Sequence, residues 1–191
     1  MIDNASLSRI DKDSVTRKSL NEITAPVSEH LSEFRGFFKD TIKTDVFLLD
    51  QILRYLHKQK GKELRPTLVF MTANLFDGIS ERSHIAATMI ELLHTATLIH
   101  DDVVDEANSR RGFVSINKIW KNKAGVLLGD FLLSRGLLVS LENKEYKLLE
   151  VQSKAVQKMS EGELRQLKTA GLFNMTEDRY FKIISEKTAS L

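Results

Sequence analysis

Turn-forming residues are so scarce in this chain that their scarcity decides its architecture. Two prolines, Pro26 and Pro66, and nine glycines serve 191 residues, too few for a protein of many short strands. The apolar residues fall instead at spacings of three and four, and the predicted fold class is all-α. Over residues 45–58, Val46, Leu49, Ile52, Leu53 and Leu56 form the stripe of a helix lying on a core, ended at Gly61. Pro66 suits the first turn of the next helix, where its missing N–H costs nothing, and Asp77-Gly78 stops that helix after about Phe76. Ser80 or Ser83 is placed to cap the one that follows. Across residues 85–99 apolar side chains occupy nearly every side of the helical wheel, so this helix is expected to be central. A connector follows Arg111-Gly112. Further helices are predicted over about 121–141 and 145–169, and a last one opens at Thr176, with Glu177 and Asp178 at its positive end. Residues 1–20 are polar enough for a frayed arm or a surface helix, and residues 1–191 are expected to form a single all-α domain.

With 28 basic and 26 acidic side chains the formal charge is +2, which excludes an electrostatic nucleic-acid binder. Absence of cysteine excludes disulfides, thiolate metal sites and cysteine nucleophiles. It also fits a reducing compartment, and a cytoplasmic location is the expectation. Residues 66–76 are the longest stretch free of Asp, Glu, Lys and Arg. That is well short of the roughly 20 apolar residues of a spanning helix, so no transmembrane segment is expected. Met1-Ile2-Asp3-Asn4 lacks the basic-then-apolar order of a signal peptide, and the mature protein is expected to start there.

The chemistry gathers at the end of the central helix, in His94-Thr-Ala-Thr-Leu-Ile-His100-Asp101-Asp102-Val-Val-Asp105. At about 100° per residue, His94, Asp101 and Asp105 share one face. One turn separates Asp101 from Asp105, roughly 6 Å of rise, so both carboxylates can serve metal ions that bridge to one anionic ligand. Asp102 points aside and is expected to orient the site. Oxygen-only ligands call for a hard cation, Mg²⁺ first and Mn²⁺ second; no sharp-turn glycine makes this a calcium loop, and zinc would want nitrogen or sulfur. Alone, such a cluster reads more readily as a solvated acidic helix end. Its basic company changes the balance: Lys62 and Arg65 in Gly61-Lys-Glu-Leu-Arg-Pro66, and Arg110-Arg111-Gly112 just beyond the carboxylates. Fixed cations beside a carboxylate-metal cluster suit a ligand carrying several phosphates, held in two subsites.

These residues resemble the trans-isoprenyl diphosphate synthases, or polyprenyl synthetases, over residues 51–191. Gly61–Pro66 is similar to that family's isopentenyl diphosphate motif, and residues 101–112 to its first aspartate-rich motif with paired arginines. Val126-Leu-Leu-Gly-Asp130-Phe-Leu-Leu, Glu161-Gly-Glu-Leu-Arg-Gln166 and Lys187-Thr-Ala-Ser-Leu191 match three later motifs in the family's order. The resemblance implies an antiparallel helical bundle of the isoprenoid synthase type. It implies that Lys62, Arg65, His94 and Arg111 hold isopentenyl diphosphate. An allylic prenyl diphosphate is then held through Mg²⁺ on Asp101 and Asp105, with Asp102 assisting, and by Arg110, Gln166, Lys187 and Thr188. The implied chemistry is head-to-tail condensation, in which cations stabilise the departing diphosphate and the isopentenyl double bond attacks the allylic cation. Asp130 is expected to be a buried structural residue. Thr97 and Ala96, four and five positions before Asp101, stand where short-chain members carry bulky residues; their small size implies a medium or long product, with Leu93 as a later limit. Dimerisation through Leu127, Leu128, Phe131, Leu132, Leu137 and Leu138 is expected.

The pattern also departs from the family. Glu63 replaces a common basic residue, Lys60 a glycine and Val114 a proline. No second aspartate-rich motif follows, since Asp11-Lys-Asp13 and Glu177-Asp178 have the wrong spacing. The chain is therefore expected to be incomplete at its C-terminus: a truncated piece, a proteolysed remnant or one part of a split enzyme. Two rival functions stand beside the synthase: a non-catalytic partner subunit of a heteromeric prenyl synthase, for which the retained charged set is superfluous, and a terpene cyclase, which would need neither Lys62 nor Arg65.

Overall fold

The computed structural model describes residues 19–59, 61–110, 112–170 and 175–190, so the polar arm over residues 1–18, Lys60 and Arg111 lie outside the described residues. Helix α1 (Leu20–Thr24) opens on a reciprocal capping box between Ser19 and Glu22, and a 3₁₀ turn (Ala25–Val27) leads into α2 (Ser28–Thr41). Then come α3 (Phe47–Lys58), α4 (Leu64–Leu75) and α5 (Glu81–Val104). A short hairpin, β1 (Ser109–Arg110) with β2 (Phe113–Val114), precedes α6 (Ile116–Glu142) and α7 (Tyr146–Ala170). Helix α8 (Glu177–Ile184) runs into a π-helical turn (Ser185–Ala189). Among the described residues the protein is all-α but for that hairpin.

Several ends form for reasons visible in the sequence. Ser80 caps α5 in a reciprocal box with Ser83, and Thr176 accepts a hydrogen bond from the Arg179 amide at the start of α8. Gly78 takes φ +88°, which lets its amide fold back onto the Ala73 carbonyl beyond the end of α4. Helix α2 escapes the sequence reading, although Leu31, Phe34 and Phe38 carry the three-four spacing that would have revealed it. Helix α6 begins earlier than expected but is interrupted at Lys121 (φ 73°), so its long straight part starts where the sequence places it.

Helix α5 is central, as expected. Leu92, Ala96 and Ile99 interlock with Leu128 and Leu132 of α6 and with Ile52 and Leu53 of α3, while Ala87 meets Val27, Leu31, Phe34 and Phe70. Truncating any of these large side chains to alanine would cost about 2–5 kcal/mol. Gly125 and Gly129 of α6 permit the close approach, since a Cβ on Gly129 would collide with the His100 ring. Arg135 of α6 donates to the last α2 carbonyl, that of Thr41, at 2.6 Å, a cation on the negative end of a helix.

Three expectations need correction here. Asp130 is not buried: its side chain is 62% exposed, 3.4 Å from His100 Nε2, because the buried face of α6 is the neighbouring line through Gly125, Leu128, Gly129 and Leu132. For the same reason Leu128 and Leu132 belong to the core, and only Leu127, Leu137 and Leu138 of the expected dimer face, with Phe131 partly buried, look outward. Helix α6 is also long and apolar enough to cross a membrane by length and composition. Counting uninterrupted charge-free stretches overlooked it, since Asp130 and Arg135 split the run. In this structure its inner face is packed on α5.

Candidate active site

Asp101 and Asp105 stand one turn apart where α5 ends, the Asp105 amide donating to the Asp101 carbonyl at 2.8 Å. Partial burial pushes the Asp101 carboxyl above the usual carboxylate range; the negative charges of Glu163 and Asp105 add to that, and Lys187 and Arg110 oppose it. Asp105 is exposed. Asp102 does point aside. It is buried, takes Nε and Nη2 of Arg110 on Oδ1 at 2.8 and 2.7 Å, and its carbonyl accepts from Asn117 Nδ2 at 3.0 Å. The pair leaves the Arg110 guanidinium more firmly protonated than usual, the Asp102 bond being the main cause. Arg110 is held by the hairpin, which Tyr55 of α3 anchors by donating to the Val114 carbonyl at 2.7 Å and by packing edge-on to Phe113 and Trp120.

From the other end of the chain, the π-helical turn brings Lys187 to this cluster. Its Nζ lies 2.6 Å from Glu163 Oε2 and donates to Gln166 Oε1 at 3.3 Å. The Lys187 ammonium is held above its ordinary pKa chiefly by its bond to Glu163; burial opposes this, and the charges of Glu163, Asp101 and Asp105 add to it. Two features of α7 seat the turn: Arg165 pairs with Glu186 at 2.9 Å, and Gly162 leaves room, because a Cβ there would come within 2.9 Å of Glu186 Cβ and 3.1 Å of the Lys187 nitrogen. Thr188 is exposed in the same turn. The sequence reading missed Glu163, although its place three residues before Gln166, on the same face of α7, was a signal.

Beside the carboxylates a cavity of about 470 Å³ opens between α2, α3 and α5. His94, Leu98 and Asp102 of α5 line it together with Arg110, Phe38, Leu56, Gly61 and Glu63. Glu63 is left-handed (φ 48°) and grips Arg35 of α2 through both carboxylate oxygens, the shortest contact being 2.7 Å. Thus the structure brings Asp102, His94 and Arg110 to one cavity, and Asp101, Asp105, Gln166 and Lys187 to the cluster next to it. Lys62 is exposed and Arg65 half-buried, and neither lines the cavity. Arg111 lies outside the described residues. Leu93 and Ala96 are fully buried, Ala96 against α6, while Thr97 is half-buried four residues from Asp101 on the same helix.

The sequence profile described as "Polyprenyl synthetase" matches residues 46–191. The chain is 36% identical over 175 residues to an octaprenyl diphosphate synthase of Escherichia coli (strain K12), covering 91% of this chain and 53% of the relative. It is 38% identical over 174 residues to an all-trans-nonaprenyl-diphosphate synthase (geranyl-diphosphate specific) of Rhodobacter capsulatus, covering 89% and 53%. The crystal structure of a polyprenyl synthase from Caulobacter crescentus CB15, complexed with calcium and isoprenyl diphosphate, superposes with a TM-score of 0.85 at 32% identity, covering 91% of this chain and 54% of that one. The chain thus spans about half the length of the curated relatives it matches. With a profile match over most of its length and an all-α fold shared with that crystal structure, it belongs to the polyprenyl synthetase family of prenyltransferases.

Proposed function

We propose that this chain furnishes the first aspartate-rich half of a polyprenyl diphosphate synthase, which condenses isopentenyl diphosphate head to tail with an allylic prenyl diphosphate to a medium or long product. The observation that carries the reading is the convergence of Lys187, from the end of the chain, on Asp101 and Asp105. Three acids, Asp101, Asp105 and Glu163, crowd one spot, and burial lifts Asp101 further; a hard divalent ion suits this oxygen-only donor set, Mg²⁺ before Mn²⁺. Asp101 and Asp105 would hold it, and when bound it supplies positive charge to the diphosphate oxygens.

The chain's own residues supply the rest. Lys187, steadied by Glu163 and Gln166, keeps a donor for an allylic diphosphate oxygen and stabilises the charge gathering there as the C–O bond breaks. Arg110, fixed by Asp102 and within the field of Asp101 and Asp105, takes the allylic diphosphate with Lys187, while His94 on the cavity wall takes the isopentenyl diphosphate group. Apolar Phe38, Leu56 and Leu98 beside them shelter the carbocation from water. The bound calcium and isoprenyl diphosphate named for the Caulobacter protein support this reading of the cluster.

Incubation with farnesyl and isopentenyl diphosphates plus Mg²⁺, followed by product chromatography, tests it. Polyprenyl products from the chain, alone or joined by a segment covering the remainder of its relatives' length, are expected, and their loss in Lys187→Ala. No product under either condition, with Mg²⁺-dependent pyrophosphate binding also absent, overturns the reading. Exposed Leu164, Leu167, Phe181 and Ile184 on α7 and α8 fit the alternative, a partner subunit covered by a second chain; product formed only with such a chain, and unaffected by Lys187→Ala, would favour it. We further propose a homodimer through Leu127, Leu137 and Leu138 of α6, to be checked by light scattering on Leu138→Glu, expected to be monomeric.

A further inference from the structure

At the opposite end of α5 from the acidic cluster, about 25 Å away along the helix axis, three potential ligands meet. His30 and Glu33 stand one turn apart on α2, and His84 lies in the first turn of α5. His30 Nδ1 is 3.2 Å and His84 Nε2 3.3 Å from the same oxygen, Glu33 Oε2, and the three donor atoms all lie within 4.8 Å of one another.

We propose that His30, Glu33 and His84 form a site for a zinc-class divalent ion that ties α2 to α5. Zinc bonds of about 2.0–2.2 Å in a tetrahedron put neighbouring ligand atoms about 3.3–3.5 Å apart, the spacing of two of the three edges here. The third edge, between the two imidazole nitrogens, is no longer than 4.8 Å, within the range that rotation of His30, whose side chain is 35% exposed, can adjust. The state of His84 favours a metal over a proton. Its Nδ1 is 3.1 Å from the Ser80 carbonyl, an acceptor, so Nδ1 carries the hydrogen and Nε2 presents a lone pair. That Nε2 is buried and makes no aligned hydrogen bond, although a carboxylate oxygen sits 3.3 Å away. Two lone-pair atoms at that distance repel unless a cation stands between them. A shared proton would draw N–H and oxygen into line; a metal ion sits off the line joining them and serves His30 as well. Phe70 of α4, its ring 4.8 Å from that of His84 and 6.0 Å from that of His30, forms an apolar wall. Glu33 is 56% exposed, so the fourth position is open to a water.

The test uses metal-stripped protein in excess Mg²⁺, added to compete Co²⁺ away from the oxygen-rich cluster at Asp101. Co²⁺ is titrated in and displaced by Zn²⁺. The expected result is about one equivalent of Co²⁺ with the intense visible bands of tetrahedral nitrogen ligation, and a Zn²⁺-dependent rise in Tm. Glu33→Gln, a substitution at an exposed position, and His84→Ala should each weaken Zn²⁺ binding at least ~100-fold and abolish the rise, whereas Asp101→Asn should keep both. Tight binding that persists in Glu33→Gln and His84→Ala, bands lost in Asp101→Asn instead, or a Tm indifferent to Zn²⁺ would each overturn the site.

Discussion

Single side chains set the electrostatics of the acidic cluster. The folded-state pKa of Asp101 is raised, so in metal-free protein its protonated form is favoured by folding. Its contribution to stability is therefore full below the ordinary carboxylate range and lost as pH rises through the raised value. In chelator, Asp101→Asn is expected to melt above wild type at pH 7, with the gap closing as the pH falls below the carboxylate range; a gap that widens on acidification would contradict the assignment. Glu163 acts through Lys187. Glu163→Gln should loosen the ammonium and lower kcat/KM about ten-fold, near 1.4 kcal/mol, with little change in Tm, because both side chains are about a third exposed and such pairs add little to stability. A change in KM alone would relegate Glu163 to general electrostatics. Helical spacing together with the neighbouring Lys62, Arg65 and Arg110 made Asp101, Asp102 and Asp105 legible in the sequence, but Glu163 was one acid among many until a lysine from a distant turn arrived beside it.

Among the elements, the contact of α7 with the π-helical turn determines where Lys187 points. Alanine at position 162 gains about 1 kcal/mol of helix propensity, yet its methyl group would press on Glu186 and on the Lys187 backbone at distances below ordinary packing, a cost of about 1–3 kcal/mol. The clash wins. Gly162→Ala should lower Tm slightly and activity more, as the turn is pushed from α7; retained activity in a more stable protein would mean the approach is not required. Helices α3, α4, α5 and α8 were readable from local signals: the apolar stripe of α3, Pro66 in the first turn of α4, the Ser80 cap and all-round apolar surface of α5, and the Thr176 cap of α8. The hairpin was not, since two-residue strands have no periodicity; it exists because Gly112 takes φ +81° and Tyr55 reaches across from α3.

For the molecule as a whole, the proposed synthase activity makes product length depend on how closely helices surround the growing chain. Ala96 is fully buried in the α5–α6 contact, so Ala96→Phe should cost about 1–3 kcal/mol through overpacking and, in the catalytically complete protein, shorten the main product; unchanged length on chromatography would move that limit elsewhere, Thr97 being the next position to enlarge. The sequence alone determined the all-α class, the central helix and the acids at its end, because periodicity, capping and turn scarcity are local properties that survive without neighbours. Only tertiary structure decided that Lys187 and Glu163 meet Asp101, that Glu63 is matched by Arg35, that Asp130 faces outward, and that His30 and Glu33 converge on His84. Each of these is a meeting of helices remote in the chain, fixed by which apolar faces bury one another rather than by any pattern within a single segment.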